Sequence, residues 1–215
     1  MPSARSSIRR GTTAAAQRAR RETGATSREL LLDVAETLFA EHGSEGVSIR
    51  AINAAAGFGP AAVNYHFGSK DDLLRAVVQR RFREVTARQV ELLTDAEQGP
   101  RPTTPQLVGI IATPFFELLA TEPAAGLRWL RLATRLAQAN DPLVTRRGRP
   151  DLFEERLMEQ LIRRYPAHTV EFLEPRWRLA ILALMALISA SGDEFAPAML
   201  IRFTARGFDG MCTID

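Results

Sequence analysis

The sequence SIRAINAAAGFGPAAVNYHFGSK, residues 48–70, has the composition of two very short helices separated by a glycine-rich turn. Ser48 is a good N-cap, and the apolar residues Ile49, Ile52 and Ala56 follow it at helical spacing. Gly57 can take the positive φ that is needed where the chain turns sharply. A pair of helices joined so tightly buries little surface by itself. We therefore expect its second helix to be presented to a partner outside the protein.

The second helix is predicted to separate a buried side from an exposed one. Gly59 is an acceptable N-cap, and Pro60 suits the first helical position because its φ is already helical. Val63 and Phe67 should face inward because they lie one helical turn apart. The opposite side carries small residues, an amide, a phenol and an imidazole instead of the long charged side chains of a solvated surface. We interpret this side as one that enters the major groove of DNA.

Positive charge is concentrated beside this helical pair. The chain has a net charge of +3, but residues 1–28 contain seven arginines and one glutamate, whereas the remainder has 21 basic and 24 acidic residues. An excess of this kind suits a polyanion, and nucleic acid is the commonest one. Residues 1–25 lack hydrophobic periodicity and are predicted to be a disordered, arginine-rich arm, which either contacts DNA or only aids solubility.

The remaining sequence predicts an all-α protein. A helix over 26–42 precedes the pair, ends at Gly43 in a left-handed cap, and completes a three-helix, helix-turn-helix domain over 26–68. A larger helical domain is predicted over 69–215. Its helices are expected near residues 70–95, 105–120, 123–139, 150–164, 174–191 and 196–208, with Pro114 kinking or splitting the second of them.

The sequence also suits a cytoplasmic protein without a membrane segment. Cys212 is the single cysteine, so no disulfide can form within one chain. The N-terminus lacks the apolar region of a secretory signal. The longest apolar run, from Leu179 to Ile188, is shorter than the roughly 20 residues that cross a bilayer.

Residues 28–80 resemble the DNA-binding domain of tetracycline-repressor (TetR)-type bacterial regulators. The matching positions are Leu31-Leu32-Asp33-Val34-Ala35, Leu38-Phe39-Ala40-Glu41, Gly43, Ser48-Ile49-Arg50, Ile52, Ala56-Gly57, Val63-Asn64-Tyr65-His66-Phe67-Gly68-Ser69-Lys70 and Leu73-Leu74. The resemblance implies a homodimer that binds a palindromic operator and is released by a small apolar or amphipathic effector. It also implies that the protein is a repressor.

The resemblance assigns roles to individual residues of the domain. Ser48, Arg50 and Lys70 correspond to positions that contact the DNA backbone, and Tyr65 and His66 to a pair that touches phosphates or base edges. The face that enters the major groove corresponds to Gly59, Pro60, Ala61, Ala62, Asn64 and Tyr65. Gly59, Ala61 and Ala62 replace larger or polar residues that are common in the family, and Asn53 replaces an alanine. We therefore expect sequence preference to depend mainly on Asn64, which can pair with adenine.

Two readings of the segment from Arg178 to Ile188 remain open. A helix that is apolar nearly all round is buried on more than one side. The segment is either the central core helix of a monomer or part of a dimer interface. In the second case, which the family resemblance implies, it pairs with residues 198–208, and the two subunits together form a four-helix interface. The residues expected at such an interface are Arg178, Ile181, Leu182, Met185, Ile188, Leu200 and Phe203.

An effector pocket is harder to locate from sequence. The apolar residues that could line one are Phe115, Phe116, Leu119, Trp129, Leu132, Met158, Leu161 and Trp177, and the same residues would serve equally well as core. Arg128, Arg131 and Arg135 share one helix face. If that face looked inward it would suit an anionic head group, although such a stripe is more often solvated.

Two other classes of protein were weighed against a regulator. The sequence has no phosphate-binding glycine loop, its histidines His42, His66 and His168 lack metal-ligand spacing, and no Ser-His-acid set is identifiable. We therefore expect no catalytic site, metal or cofactor, and an enzyme is disfavoured. A helical small-molecule-binding or adaptor protein that does not bind DNA is the stronger alternative, because the residues at 59, 61 and 62 offer so few polar groups.

Overall fold

The computed structural model describes residues 26–141, 152–191 and 195–213. Every regular element in these ranges is a helix, which confirms the predicted all-α class. The arginine-rich segment 1–25 lies outside the described residues. The chain divides into two compact units, Met1–Val77 and Val78–Asp215.

The first unit contains three helices and the start of a fourth. The helix α1 covers residues 26–42, α2 covers Ile49–Ala55, α3 covers Ala62–Phe67, and α4 covers Lys70–Glu97. Gly43 has a φ of 74°, and its N–H donates to the Phe39 carbonyl at 2.9 Å, which confirms the predicted left-handed cap of α1. The unit boundary falls inside α4, between Val77 and Val78.

Buried apolar side chains hold the first unit together. They come from all four helices and from the turn after α1. They are Leu31, Leu32, Ala35, Phe39, Val47, Ile52, Val63, Leu73, Leu74 and Val77. The predicted inward residue Val63 is fully buried, and Phe67 is half-buried with the Arg28 guanidinium 4.9 Å from its ring centre. Each fully buried side chain of this size contributes about 1.5–3 kcal/mol, so a small unit depends on nearly all of them.

The second unit is built from the rest of α4 and five further described helices. These are α5 (Thr104–Thr121), α6 (Pro123–Gln138), α7 (Leu152–Arg164), α8 (Val170–Ser191) and α9 (Pro197–Met211). Among these five helices, α5 and α8 each pack against the other four.

Two prolines lie inside helices. Pro114 does not split α5, which continues through it from Thr104 to Thr121, so of the two predicted effects only the kink remains a prediction. The helix predicted to start near Pro175 already begins at Val170, so α8 contains this proline. The predicted start of α8 was wrong because a proline near a helix start removes only one N–H, and the carbonyl left without that donor belongs to an exposed residue, Glu171.

The residues predicted to line a pocket lie in the core of the second unit. Phe115, Trp129, Leu161 and Trp177 belong to its buried cluster, and Phe116, Leu119 and Met158 pack against that cluster half-buried. Leu132 is also buried. The ring centres of Phe115 and Trp129 are 6.4 Å apart in a stacked arrangement. Seven of the eight therefore belong to one apolar cluster or pack against it, and their role as a pocket stays a prediction.

The three arginines on one face of α6, Arg128, Arg131 and Arg135, differ in their exposure to solvent. Arg131 and Arg135 are exposed, and Arg131 Nε donates to the Ser189 carbonyl at 3.1 Å. Arg128 is half-buried, and its Nε is enclosed without a hydrogen-bond partner among the described residues. Only Arg128 therefore resembles a residue that faces inward.

The predicted dimer residues also separate into two groups. Ile188 and Leu200 are buried in the core of their own chain, so their assignment to a dimer surface is corrected here. Both belong to the buried apolar cluster of the second unit, where α8 and α9 pack against each other and against α5. Arg178 is exposed and paired with Glu174 at 3.1 Å, and Phe203 is 67% exposed. The others, Ile181, Leu182 and Met185, are half-buried.

Polar contacts from neighbouring helices hold α4 within the second unit. The indole Nε1 of the buried Trp129 donates to the Val78 carbonyl at 3.2 Å, and Gln89 Nε2 donates to the Ile111 carbonyl at 3.0 Å. Arg88 grips Glu117 through two guanidinium nitrogens, at 3.1 and 3.2 Å. This part of α4 is thus fixed to α5 and α6 by directional bonds as well as by apolar packing.

A polar cluster joins the start of α5 to the end of α9. Thr104 Oγ1 donates to Asp209 Oδ1 at 2.7 Å and lies 2.6 Å from the Tyr165 hydroxyl, which also donates to Asp209. Burial raises the pKa of the Tyr165 phenol, and the adjacent Asp209 carboxylate raises it further. The phenol therefore stays protonated and continues to act as a donor.

No helix of the described ranges is both long and apolar enough to cross a membrane.

The bond from Trp129 to Val78 predicts a specific stability difference. We expect Trp129→Phe to lower the free energy of unfolding by about 1 kcal/mol more than Trp177→Phe, because both remove an indole from one core but only the first removes this buried hydrogen bond. Urea unfolding of the two variants, followed by circular dichroism, measures the difference. Equal losses would show that the bond contributes nothing net.

Candidate nucleic-acid interface

The turn between α2 and α3 is fixed by its backbone. Gly57 has a φ of 73°, a conformation that side chains with a Cβ disfavour. Its N–H donates to the Ala54 carbonyl at 3.1 Å, and the next N–H, of Phe58, donates to the Asn53 carbonyl at 2.9 Å. The chain consequently reverses within a few residues, as the sequence predicted.

The start of α3 differs from the prediction. The helix begins at Ala62 with Ala61 as its N-cap, so Gly59 and Pro60 belong to the turn and are not the N-cap and first helical residue. Ala61 has no side-chain oxygen with which to cap the helix. The acceptor comes instead from α2, where Asn53 Oδ1 receives the N–H of Val63 at 3.1 Å. A cap supplied from another helix is not visible in local sequence, which is why the boundary was misplaced.

The NH2 group of the Asn53 side-chain amide is also hydrogen-bonded. Asn53 Nδ2 donates to the Pro60 carbonyl at 2.7 Å, and the side chain is only 2% exposed. The sequence marked Asn53 as unusual without assigning it a function. A polar residue beside Ile52 on the inward face of a short helix is the signal that could have identified a buried hydrogen-bonding role.

The residues expected to enter the major groove share one accessible surface. Tyr65 is 84% exposed, and Asn64 beside it is exposed as well. A shallow depression next to them is lined by Phe58, Gly59, Pro60, Ala61, Ala62, Tyr65 and His66. The His66 ring meets the Tyr65 ring edge-on, with 4.9 Å between centres. The surface combines one amide, one phenol and small apolar residues, so any recognition by it would use few hydrogen bonds.

The two residues expected to contact phosphates at the start of α2 are accessible. Ser48 is its N-cap, as predicted, and the Ser48 Oγ accepts the Ala51 N–H at 3.1 Å. Its hydroxyl hydrogen remains able to donate to an oxygen of a ligand. Arg50 is exposed on the first turn of α2.

Lys70 has a structural contact that the sequence did not reveal. It is the first residue of α4, and its Nζ donates to the Ser44 carbonyl at 3.1 Å. This bond holds the ammonium beside the turn that follows α1. Two of its three N–H donors remain for other partners.

The described part of the first unit is not basic. Residues 26–77 contain four basic side chains, on Arg28, Arg50, Lys70 and Arg75, and seven acidic ones. Residues 1–25 contain six arginines and one glutamate. Most of the positive charge available to the unit therefore lies in that N-terminal segment.

The described residues contain no group of three or more His, Cys, Asp or Glu side chains that could hold a metal ion.

Comparison with known proteins agrees with the helix-turn-helix geometry. Residues 31–77 match the family model described as bacterial regulatory proteins, tetR family. The chain is 38% identical over 69 residues to the HTH-type transcriptional repressor AcnR of Corynebacterium glutamicum, a match that covers 32% of this chain and 35% of that protein. The matched region thus spans about a third of the length of this curated relative.

Solved structures extend the similarity of fold beyond the matched domain. A TetR-like transcriptional regulator from Rhodococcus sp. RHA1 has a TM-score of 0.52 at 22% identity, with 88% of this chain and 98% of that one covered. PfmR, a TetR family transcriptional regulator from Thermus thermophilus, has a TM-score of 0.52 at 19% identity, with 85% and 94% covered. Residues 31–77 therefore match the tetR family of bacterial regulatory proteins, and the chain as a whole shares the all-helical fold of these solved structures.

Proposed function

We propose that this protein is a ligand-responsive transcriptional regulator that represses by binding a palindromic operator as a homodimer. The observation that carries the proposal is the exposed face of α3, which presents Asn64 and Tyr65 beside a rigid turn within the tetR-family region, residues 31–77. The name of the similar AcnR protein, a transcriptional repressor, supports repression over activation. A regulator of this kind acts on chromosomal DNA, so we place it in the cytoplasm.

The proposed DNA contacts fall into two classes. Ser48, Arg50, Tyr65, His66 and Lys70 hold the phosphate backbone, which sets position and orientation but carries no sequence information. The base-reading surface is formed by Gly59, Pro60, Ala61, Ala62, Asn64 and Tyr65. Asn64 pairs with adenine, and the alanine methyl groups contact thymine methyls.

A homodimer is proposed because α8 and α9 carry exposed apolar side chains. Leu179 is 58% exposed and Phe203 is 67% exposed, with Met199 also exposed on α9. The two helices pack against each other, and large exposed apolar side chains on neighbouring helices suit an interaction site. A second copy of the chain would cover it and would pair two recognition helices ~34–36 Å apart, one turn of DNA.

The effector is proposed to enter the second unit among the apolar residues of α5, α6, α7 and α8. Two buried polar atoms there support an amphipathic ligand, since Thr134 Oγ1 and Arg128 Nε have no hydrogen-bond partner among the described residues. An unpaired buried polar atom costs about 1–3 kcal/mol, and a ligand oxygen would recover part of that cost. To change occupancy of DNA substantially, the ligand must prefer one state of the protein by a few kcal/mol.

A gel-shift assay with the full chain tests the central claim. The probes are duplexes from the region beside its own gene and an unrelated duplex of equal length. We expect saturable binding to one of the former at concentrations that leave the unrelated duplex free. Failure to bind any of them would favour the alternative, a helical small-molecule-binding or adaptor protein.

The composition of the reading surface predicts the effect of Asn64→Ala. We expect this change to relax sequence preference more than it lowers overall affinity, because one amide–adenine pair supplies ~1–3 kcal/mol of discrimination while phosphate contacts supply most of the affinity. Binding to a panel of operator variants measures both quantities, and Arg50→Ala is the matched control that should weaken all variants alike. An unchanged order of preference in Asn64→Ala would contradict this role.

The acidic balance of residues 26–77 predicts that the N-terminal segment is needed for electrostatic affinity. Deleting residues 1–25 should flatten the plot of log affinity against log salt by ~0.9 for each phosphate that the segment neutralises. Titrations between low and physiological salt measure the slope. The control replaces the six arginines of the segment by glutamine at unchanged length. A deletion that leaves the slope unaltered means that the segment is a solubilising tail.

The exposed apolar surface of α8 and α9 predicts a monomeric variant. Phe203→Glu should weaken self-association by about 2 kcal/mol or more, because a charge would have to be buried at the centre of the interface. Analytical ultracentrifugation measures the change. Leu30→Glu makes the same substitution at an exposed residue of α1 and should leave the mass distribution unaltered. If Phe203→Glu also leaves it unaltered, the dimer uses another surface.

A further inference from the structure

The helix α3 carries Asn64 and Tyr65, which are proposed to contact bases, but it has few interactions of its own that fix its position. It has six residues, and its N-cap Ala61 provides no side-chain acceptor. Isolated helices shorter than ~12–15 residues are marginal even in favourable sequences. The first-turn amides of such a helix need acceptors from elsewhere. Whatever supplies those acceptors also determines where the exposed side chains of α3 stand.

Asn53 is connected to the turn and to α3 at three points. Its main-chain carbonyl accepts the Phe58 N–H at 2.9 Å, its Nδ2 donates to the Pro60 carbonyl at 2.7 Å, and its Oδ1 accepts the Val63 N–H at 3.1 Å. The donor and acceptor ends of the amide are both occupied, so its orientation is determined. A side chain in which only one end is used could rotate, whereas this one links α2 rigidly to both sides of the turn.

Burial separates Asn53 from the DNA-facing surface. The residue is 2% exposed, whereas Tyr65 is 84% exposed and Asn64 is exposed too. Asn53 therefore cannot read a base itself. Its partners Pro60 and Val63 lie on either side of Ala61 and Ala62, and Val63 immediately precedes Asn64, so a displacement of the amide would move the reading surface.

We propose that Asn53 is a positioning residue for DNA recognition, which supplies from α2 the helix cap that α3 lacks and thereby fixes Asn64 and Tyr65 for the major groove. This inference rests on the proposed DNA-binding function. It assigns sequence discrimination partly to a buried residue that contacts no nucleotide. Discrimination depends on accurate placement of base-reading groups, whereas non-specific binding depends on phosphate contacts. Loss of the amide should therefore affect the two kinds of binding unequally.

The hydrogen bond itself can be tested without DNA. In the unaltered full-length protein, we expect NMR hydrogen exchange at the Val63 amide to be at least about tenfold slower than at the exposed Ala61 amide, because only the former is bonded and buried. Asn53→Ala should abolish that protection. Asn53→Asp keeps an acceptor oxygen at the same place and should retain most of it. Rapid exchange at Val63 in the unaltered protein would overturn the proposal even if every variant failed to fold.

Binding measurements test the positioning role. For Asn53→Ala we expect affinity for the operator fragment found beside the gene to fall about tenfold, or about 1.4 kcal/mol, if the stability cost of a lost helix cap is met on binding. Affinity for unrelated duplex DNA should change less than about twofold. Gln89→Ala is the matched control, because it removes another fully buried amide, bonded to the Ile111 carbonyl in the second unit. A variant that is only destabilised would lose binding to the operator and to unrelated DNA by the same factor. We expect this pattern for Gln89→Ala if that variant unfolds in part.

The outcomes separate this inference from the function on which it rests. Unchanged discrimination in folded Asn53→Ala, with Val63 protection abolished, would overturn the positioning role while leaving DNA binding intact. If the unaltered protein binds no DNA fragment, the proposed function fails, and the exchange measurements still decide whether Asn53 holds α3.

Discussion

The arrangement of the first unit depends on how a very short helix is held in place. The helix α3 is too short to persist through its own hydrogen bonds, so its position comes from tertiary contacts. Burial of Val63 attaches one side of the helix to the small core, and the Asn53 amide fixes its first turn. Apolar burial is non-directional and would tolerate small rotations of α3, whereas the two hydrogen bonds of the amide define a single geometry. The two hydrogen bonds of the Asn53 amide therefore determine the orientation of the exposed face of α3.

The second unit relies on a different balance of forces. Its core is large and rich in aromatic side chains, and directional contacts, such as those of Trp129 with Val78 and Arg88 with Glu117, add specificity to α4. Enclosed polar atoms on Arg128 and Thr134 are exceptions to the hydrogen bonding of the described interior. Such exceptions occur where a protein holds a ligand or water that completes the hydrogen bonding. In the proposed function these two atoms are the polar groups that an amphipathic effector would meet.

Local sequence signals predicted the elements that local chemistry determines. Ser48 caps α2 and Gly43 ends α1 as expected, because both positions depend on side-chain or backbone properties of the residue itself. The start of α3 was misplaced because its cap comes from Asn53, eight residues before Ala61 and in another helix. Ile188 and Leu200 are buried in their own chain instead of lying on a dimer surface. The sequence of a helix that is apolar on several sides does not indicate which side packs against its own chain. Long-range contacts decided every one of these misplaced features.

A cap donated by α2 has a consequence for how this surface can change over generations. In a helix capped by its own preceding residue, that residue is committed to the backbone and cannot be exchanged freely. Here Gly59, Pro60 and Ala61 contribute no side-chain cap to α3, and all three are exposed. Substitutions at Gly59 and Ala61 are therefore expected to cost little folding free energy as long as Asn53 is kept, and a Cβ added at Gly59 would meet no atom within 4 Å. Under the proposed DNA-binding function, duplicates of the gene would acquire new operators by changing these two positions first.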